Sequence, residues 1–101
     1  MSKNQNLFKF NTPKTGESFE KLLEHKNVKI FKIVSSDEVD SKTYIQNEDE
    51  WVVLLRGEAT LELDGEILNL KEGDFLFIPA KTPHKILNTK RGTLWLAVHI
   101  F

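Results

Sequence analysis

The chain has 101 residues, 40% of them hydrophobic and 29% charged, with 14 Lys and Arg against 15 Asp and Glu, and no Cys. One domain fills that length, and a formal charge of −1 gives no electrostatic footprint for nucleic acid or an anionic membrane. Without Cys there is no disulfide framework, thiolate metal site or Cys nucleophile, which fits a reducing compartment.

The first 15 residues are mostly polar, with Phe8 and Phe10 interspersed, and read as a loosely ordered arm or an edge strand. The opening MSKNQNLFKF has no continuous apolar stretch and no small-residue cleavage site, so no signal peptide is expected. The longest apolar runs, Trp51 to Leu55 and Leu94 to Val98, are five residues each. A bilayer span takes roughly 20. The expectation is a soluble cytoplasmic domain. Glu17 to Lys26 is predicted to be a short helix, because Phe19, Leu22 and Leu23 fall at i, i+3, i+4. Gly16 or Ser18 would cap its start and Asn27 its end, and His25 would face its C-terminal dipole.

From Val28 the pattern is β. Strands are predicted near 28–34, 42–46, 50–56, 58–64, 66–70, 75–79, 84–88 and 93–100, separated by Asp, Gly, Asn and Pro. Short strands with turns this frequent predict a sandwich or barrel. Asp64-Gly65 is a two-residue hairpin signal. It sets Leu61 beside Leu68, Ala59 beside Leu70 and Thr60 beside Asn69, with Ile67 the one apolar residue on the wet face. Trp51 to Leu55 and Phe75 to Ile78 are apolar on both faces. A strand apolar on both faces has both covered. The outer cover is expected to be the helix at 17–26 or a partner subunit in a homodimer.

Two segments carry chemistry. Glu50 is followed by six residues and Gly57, and Gly73, Pro79, His84 and Asn88 fall at the spacing G-x5-P-x4-H-x3-N. These residues resemble the two motifs of the cupin superfamily over roughly residues 28–101. Lys81 replaces the middle Gly of the second motif. In the first motif Glu38 replaces the leading Gly, and Tyr44 and Gln46 stand about where its two His would be. The chain looks closest to a small, RmlC-like branch. That resemblance implies an all-β fold, a cupin double-stranded β-helix or jelly-roll barrel. With the short N-terminal helix it is one domain, 1–27 arm and helix, 28–101 barrel.

A cupin barrel points its motif residues inward onto a divalent metal. Carried over, Glu50 and His84 are expected ligands, and Gln46 would supply an amide oxygen where the fold usually supplies imidazole. His99 joins them if the last strand lies antiparallel beside the strand from Glu50 and turns His99 inward. Alternation leaves that open, since Leu94, Leu96, Val98 and Ile100 could equally face in. Oxygen and imidazole donors without sulfur suit Fe, Mn, Ni, Co or Zn. Val52 and Leu54 share the face of Glu50, so the walls are apolar and suit a small-molecule ligand.

Blander roles stand beside these. Gly57 and Gly73 also read as turn glycines, and Glu50 as an exposed charge. His84 also reads as a turn residue, His99 as an ordinary strand residue, and Gln46 as a backbone hydrogen-bond partner. Tyr44 and Trp51 read as packing residues. No GxGxxG, P-loop, GxSxG or HExxH is present. Three functions follow: a small metalloenzyme acting on a small polar molecule, a non-catalytic binding or sensing barrel, and a metal-free structural barrel.

Overall fold

The computed structural model describes residues 5–101. Eight strands follow in order: β1 (Glu17–His25), β2 (Val28–Ser35), β3 (Asp49–Arg56), β4 (Ala59–Leu63), β5 (Glu66–Leu70), β6 (Phe75–Ile78), β7 (His84–Thr89) and β8 (Thr93–Ile100). All pairings are antiparallel, in one sheet ordered β1-β2-β8-β3-β6 and another ordered β5-β4-β7. This is the expected jelly roll. Alternate residues of β3, β6 and β8 point inward, so Val52, Leu54, Ile78, Trp95 and Ala97 meet Ala59 and Leu70 of the smaller sheet in the core.

The segment predicted to be a helix is β1. It pairs with β2 from Glu17 opposite Ser35 to His25 opposite Val28, around a Lys26-Asn27 turn in which Lys26 takes φ +53°. A bulge between Lys21 and Leu23 shifts the alternation by one residue. Phe19 therefore pairs with Ile33 on the inner face and Leu23 with Ile30 on the outer face, so their helix-like spacing marks no common face. No helix occurs among the described residues, so His25 has no helix dipole to meet and is exposed at a strand end. The barrel sheet therefore starts at Glu17 rather than at Val28. The strand expected at 42–46 shrinks to a single bridge between Tyr44 and His84.

The arm contains no strand within 5–16, and its first four residues lie outside the described residues. Side chains from the barrel fasten it. Lys32 Nζ donates to the Lys9 carbonyl at 2.7 Å and lies 5.4 Å from the centre of the Phe10 ring. Arg91 donates to the carbonyls of Pro13 and Lys14 at 2.9 and 2.6 Å.

The β4–β5 hairpin has the expected register, Ala59 with Leu70, Thr60 with Asn69 and Leu61 with Leu68. Asp64 and Gly65 both take positive φ, +48° and +84°, as a type I′ turn needs. At Gly57 the chain leaves the large sheet for the small one, with φ +94°. A Cβ there would lie 2.4 Å from Thr93 Oγ1 and 2.8 Å from Thr93 Cα.

The outer face of β3 and β6 lacks the helical cover. Trp51 lies opposite Phe77, and the Trp51 and Phe75 rings are 5.6 Å apart. Phe75 is 64% exposed and Phe77 53%.

Candidate metal and ligand site

Gln46, Glu50, His84 and His99 all line one cavity of about 190 Å³, with Ile33, Val52, Leu61, Ile78, Ile86 and Trp95 forming its apolar wall. Strand register explains the meeting. β8 runs antiparallel beside β3 with His99 directly opposite Glu50, so both side chains share the inner face. His99 Nε2 is 3.7 Å from Glu50 Oε1. Trp95 and Ala97 face inward with His99, and Leu96 and Val98 face outward opposite Val53 and Trp51. His84 starts β7 opposite Leu63 on the inner face.

The segment carrying Gln46 is tied to the loop before β7. Tyr44 and His84 exchange backbone hydrogen bonds of 2.7 and 3.0 Å, and Lys81 N–H donates to the Gln46 carbonyl at 2.7 Å. Lys81 stands where the cupin motif has its middle Gly, and its φ of +63° shows what Gly serves there, a left-handed backbone. Asp49 Oδ1 accepts from Ala80 N–H at 2.8 Å and pins the same loop to the start of β3.

Around Glu50 the polar groups are already linked. Gln46 Nε2 donates to Glu50 Oε1 at 2.9 Å. His99 Nδ1 is 2.8 Å from Glu48 Oε2, and the Phe31 ring meets the imidazole edge-on at 5.4 Å. His84 Nδ1 is 3.1 Å from the Thr82 carbonyl, with Tyr44 stacked on the ring at 6.1 Å. A carbonyl only accepts, so His84 Nδ1 carries a proton, and in the neutral ring the lone pair is on Nε2. A carboxylate at His99 Nδ1 favours the same tautomer.

This is the outer-shell pattern that orients imidazole ligands. The donor chemistry of two imidazoles and one carboxylate suits a divalent transition metal. The donors are not drawn together, however: among the described residues no three His, Asp or Glu side chains are close enough to hold an ion.

Sequence reading missed three contributors. Glu48 sits 51 positions from His99, and nothing local marks their pairing. Glu17 and Phe19 line the cavity from β1, which was read as a helix and so removed from the barrel. Glu17 Oε2 accepts from the fully buried Ser35 hydroxyl, which itself accepts from Trp95 Nε1–H at 3.0 Å. Burial pushes the Glu17 carboxyl above the usual carboxylate range, and the Ser35 hydrogen bond only partly opposes it.

A carboxyl whose pKa is higher folded than unfolded supports the fold below its unfolded value. That support is lost as pH rises through the folded value. Glu17→Gln is therefore expected to melt like the native chain in acid and to be the more stable of the two at neutral pH. Urea denaturation at both pH values measures this, and a less stable variant at neutral pH would show that the ionised form is favoured instead.

A two-sheet jelly roll with Glu, Gln and His converging on an apolar-walled cavity defines a small cupin-type barrel. The Cupin domain family model matches residues 33–99, and the chain belongs to that family. It is similar to a candidate mannose-6-phosphate isomerase of Ralstonia eutropha, at 35% identity and a TM-score of 0.88, covering 98% of each chain. An RmlC-like cupin protein of Desulfovibrio desulfuricans shares the fold, with a TM-score of 0.81, 20% identity and coverage of 99% of this chain and 96% of that one. An uncharacterized protein of Aquifex aeolicus is 35% identical over 79 residues, 77% of this chain and 64% of its own length. The chain spans less than two thirds of the curated relatives it matches.

Proposed function

We propose that the barrel binds one divalent metal ion through Glu50, His84 and His99, with Gln46 as the fourth donor, and takes a small polar organic molecule into the cavity. The observation that carries this is the shared anchoring of the two imidazoles. Each has Nδ1 tied to an oxygen, at 3.1 Å for His84 and 2.8 Å for His99, which leaves Nε2 as the free donor. When bound, the ion supplies Lewis acidity toward a ligand oxygen. The chain's own part is orientation. Gln46 holds Glu50 by one oxygen, which leaves the other oxygen to meet the ion. The apolar wall excludes water and strengthens every polar contact inside. Likeness to the Ralstonia eutropha protein over nearly the whole chain supports an isomerase-type reaction on a small polar molecule.

Elemental analysis of protein purified without chelator tests the metal. One Fe, Mn, Ni, Co or Zn per chain is expected. A second reading has its own observation: Glu50 already accepts from Gln46, and Glu48 already meets His99, without an ion. Protein free of metal that still binds a small molecule in the cavity would establish that binding or sensing barrel and sink the first reading.

The outer face of β3 and β6 supports a partner. Of the two expected covers, the helix is replaced by β1, so a second copy of the chain is the cover we propose. Self-association buries Trp51, Phe75 and Phe77 in one isologous contact. Light scattering should give about twice the 11.7 kDa chain mass, falling to one chain in a Phe75→Ser/Phe77→Ser variant; a monomeric native chain contradicts it.

A further inference from the structure

The Glu17 carboxyl is the one acidic cavity side chain that the proposed metal chemistry leaves unused. Its position is built. One oxygen is taken by Ser35, and the Ser35 hydroxyl is turned toward it because its lone pair already receives the Trp95 indole N–H. The other carboxylate oxygen is left for the cavity that Glu17 lines.

Among the described residues no Lys or Arg lines the cavity to answer this carboxylate. Lys21, at the next inward position but one on β1, is paired with Glu24 at 2.5 Å. The other ionisable groups facing the same space are Glu50, His84, His99 and Tyr44. A desolvated carboxylate without a counter-ion is costly, and a ligand cation removes that cost. Beside Glu17 the lining is aromatic and aliphatic. Phe19 stands two residues along the same strand face, with Trp95 and Ile33 opposite it across the sheet. Carboxylate and ring faces together attract ammonium groups, and an anion meets only repulsion there.

We propose that the Glu17 end of the cavity is an ammonium subsite, so that the ligand is a small molecule with a protonated amine on a short apolar stem, rather than a phosphate or carboxylate. The proposal rests on the reading that the cavity takes a small organic ligand, and it is independent of the metal. The subsite takes the amine by an ion pair to the free Glu17 oxygen and by contact with Phe19 and Trp95. It would set this chain apart from an enzyme that must hold a sugar phosphate.

A matched series of n-butylammonium, 1-butanol and butyrate varies charge at nearly constant size. The full chain is titrated with each, while the two indole N–H resonances are followed by NMR. Trp95 reports from within the subsite and Trp51, on the outer face, serves as control. Butylammonium should move the Trp95 signal and bind about tenfold more tightly than the other two, the equivalent of about 1.4 kcal/mol, with Trp51 unmoved.

Glu17→Gln keeps an oxygen for the Ser35 hydroxyl and should abolish the preference without changing the metal content. Phe19→Ala, at a side chain 62% exposed, should weaken butylammonium binding and leave the fold intact. Equal or tighter binding of butyrate would overturn the subsite, as would a preference that survives Glu17→Gln or a Trp95 signal that ignores the amine at tens of millimolar. Absence of metal would fail the metal reading and leave the amine preference standing.

Discussion

Gly57→Ala is expected to destabilise the barrel by about 3–5 kcal/mol, combining the strain of a left-handed backbone with forced overlap in a packed site. Gly57 holds φ +94°, and the added Cβ would meet Thr93 Oγ1 at 2.4 Å and Thr93 Cα at 2.8 Å. Neither atom yields easily. Thr93 is fully buried on β8, and its hydroxyl donates to the Lys90 carbonyl at 2.5 Å. The Glu58 carbonyl accepts the Lys90 N–H at 2.9 Å, so the crossing from β3 to β4 is bound to the turn before β8. Gly65→Ala is the control. It has φ +84° but nothing within 4 Å of the new Cβ, so it bears the strain alone. In thermal melts Gly57→Ala should lose at least about 12 °C, at roughly 4–8 °C per kcal/mol for a domain of this size. Gly65→Ala should lose less than half as much. Equal losses would mean that Thr93 moves aside and the close approach costs nothing.

The spacing from Glu50 to Gly57 thus has two separate reasons. Glu50 serves the cavity and Gly57 serves the crossing between sheets. Sequence reading caught both residues, and it caught the β4–β5 register, because a two-residue turn fixes its strands locally. It failed at β1, where the chain itself disguised the period. The bulge between Lys21 and Leu23 breaks the alternation, so Phe19 and Leu23 face opposite sides, and Lys26-Asn27 is a weak turn signal beside Asp64-Gly65. The error spread, because a helix was then available to cover the outer face of β3 and β6. The strand at 42–46 failed for a different reason: its one β-bridge is that of Tyr44 with His84.

The site was legible where register could be argued. Placing β8 antiparallel to β3 brings the end of one level with the start of the other, and Glu50 does lie opposite His99. What alternation left open was the direction of His99, and packing decided it: Trp95 and Ala97 fill the core from the same strand face. The partners that set tautomers were out of reach. The Thr82 carbonyl is backbone, and Glu48 is remote in sequence from the ring it holds. Glu17 was lost with β1. The chemistry carried by inward strand residues could be read, and the chemistry that orients them could not.

The Glu48–His99 pair gives the second large effect. On a surface, a 2.8 Å contact between an imidazole and a carboxylate is worth little. If it orients a metal ligand, Glu48→Gln should lower affinity by about 10–100-fold, and His84→Ala, which removes a donor outright, by about 100-fold or more. Thermal shift separates the two roles of Glu48. An ion held at about 100 times its Kd adds about 2.7 kcal/mol to the folded state, about 10–20 °C for a chain of this length. The native chain should show that rise with Mn(II), Ni(II) or Zn(II), and His84→Ala should show none at the same concentration. Glu48→Gln should melt like the native chain without metal and need far more ion for the same rise. A variant that loses several degrees without metal, yet responds to the ion as the native chain does, would make Glu48 a stability residue and leave His99 oriented by Phe31 alone.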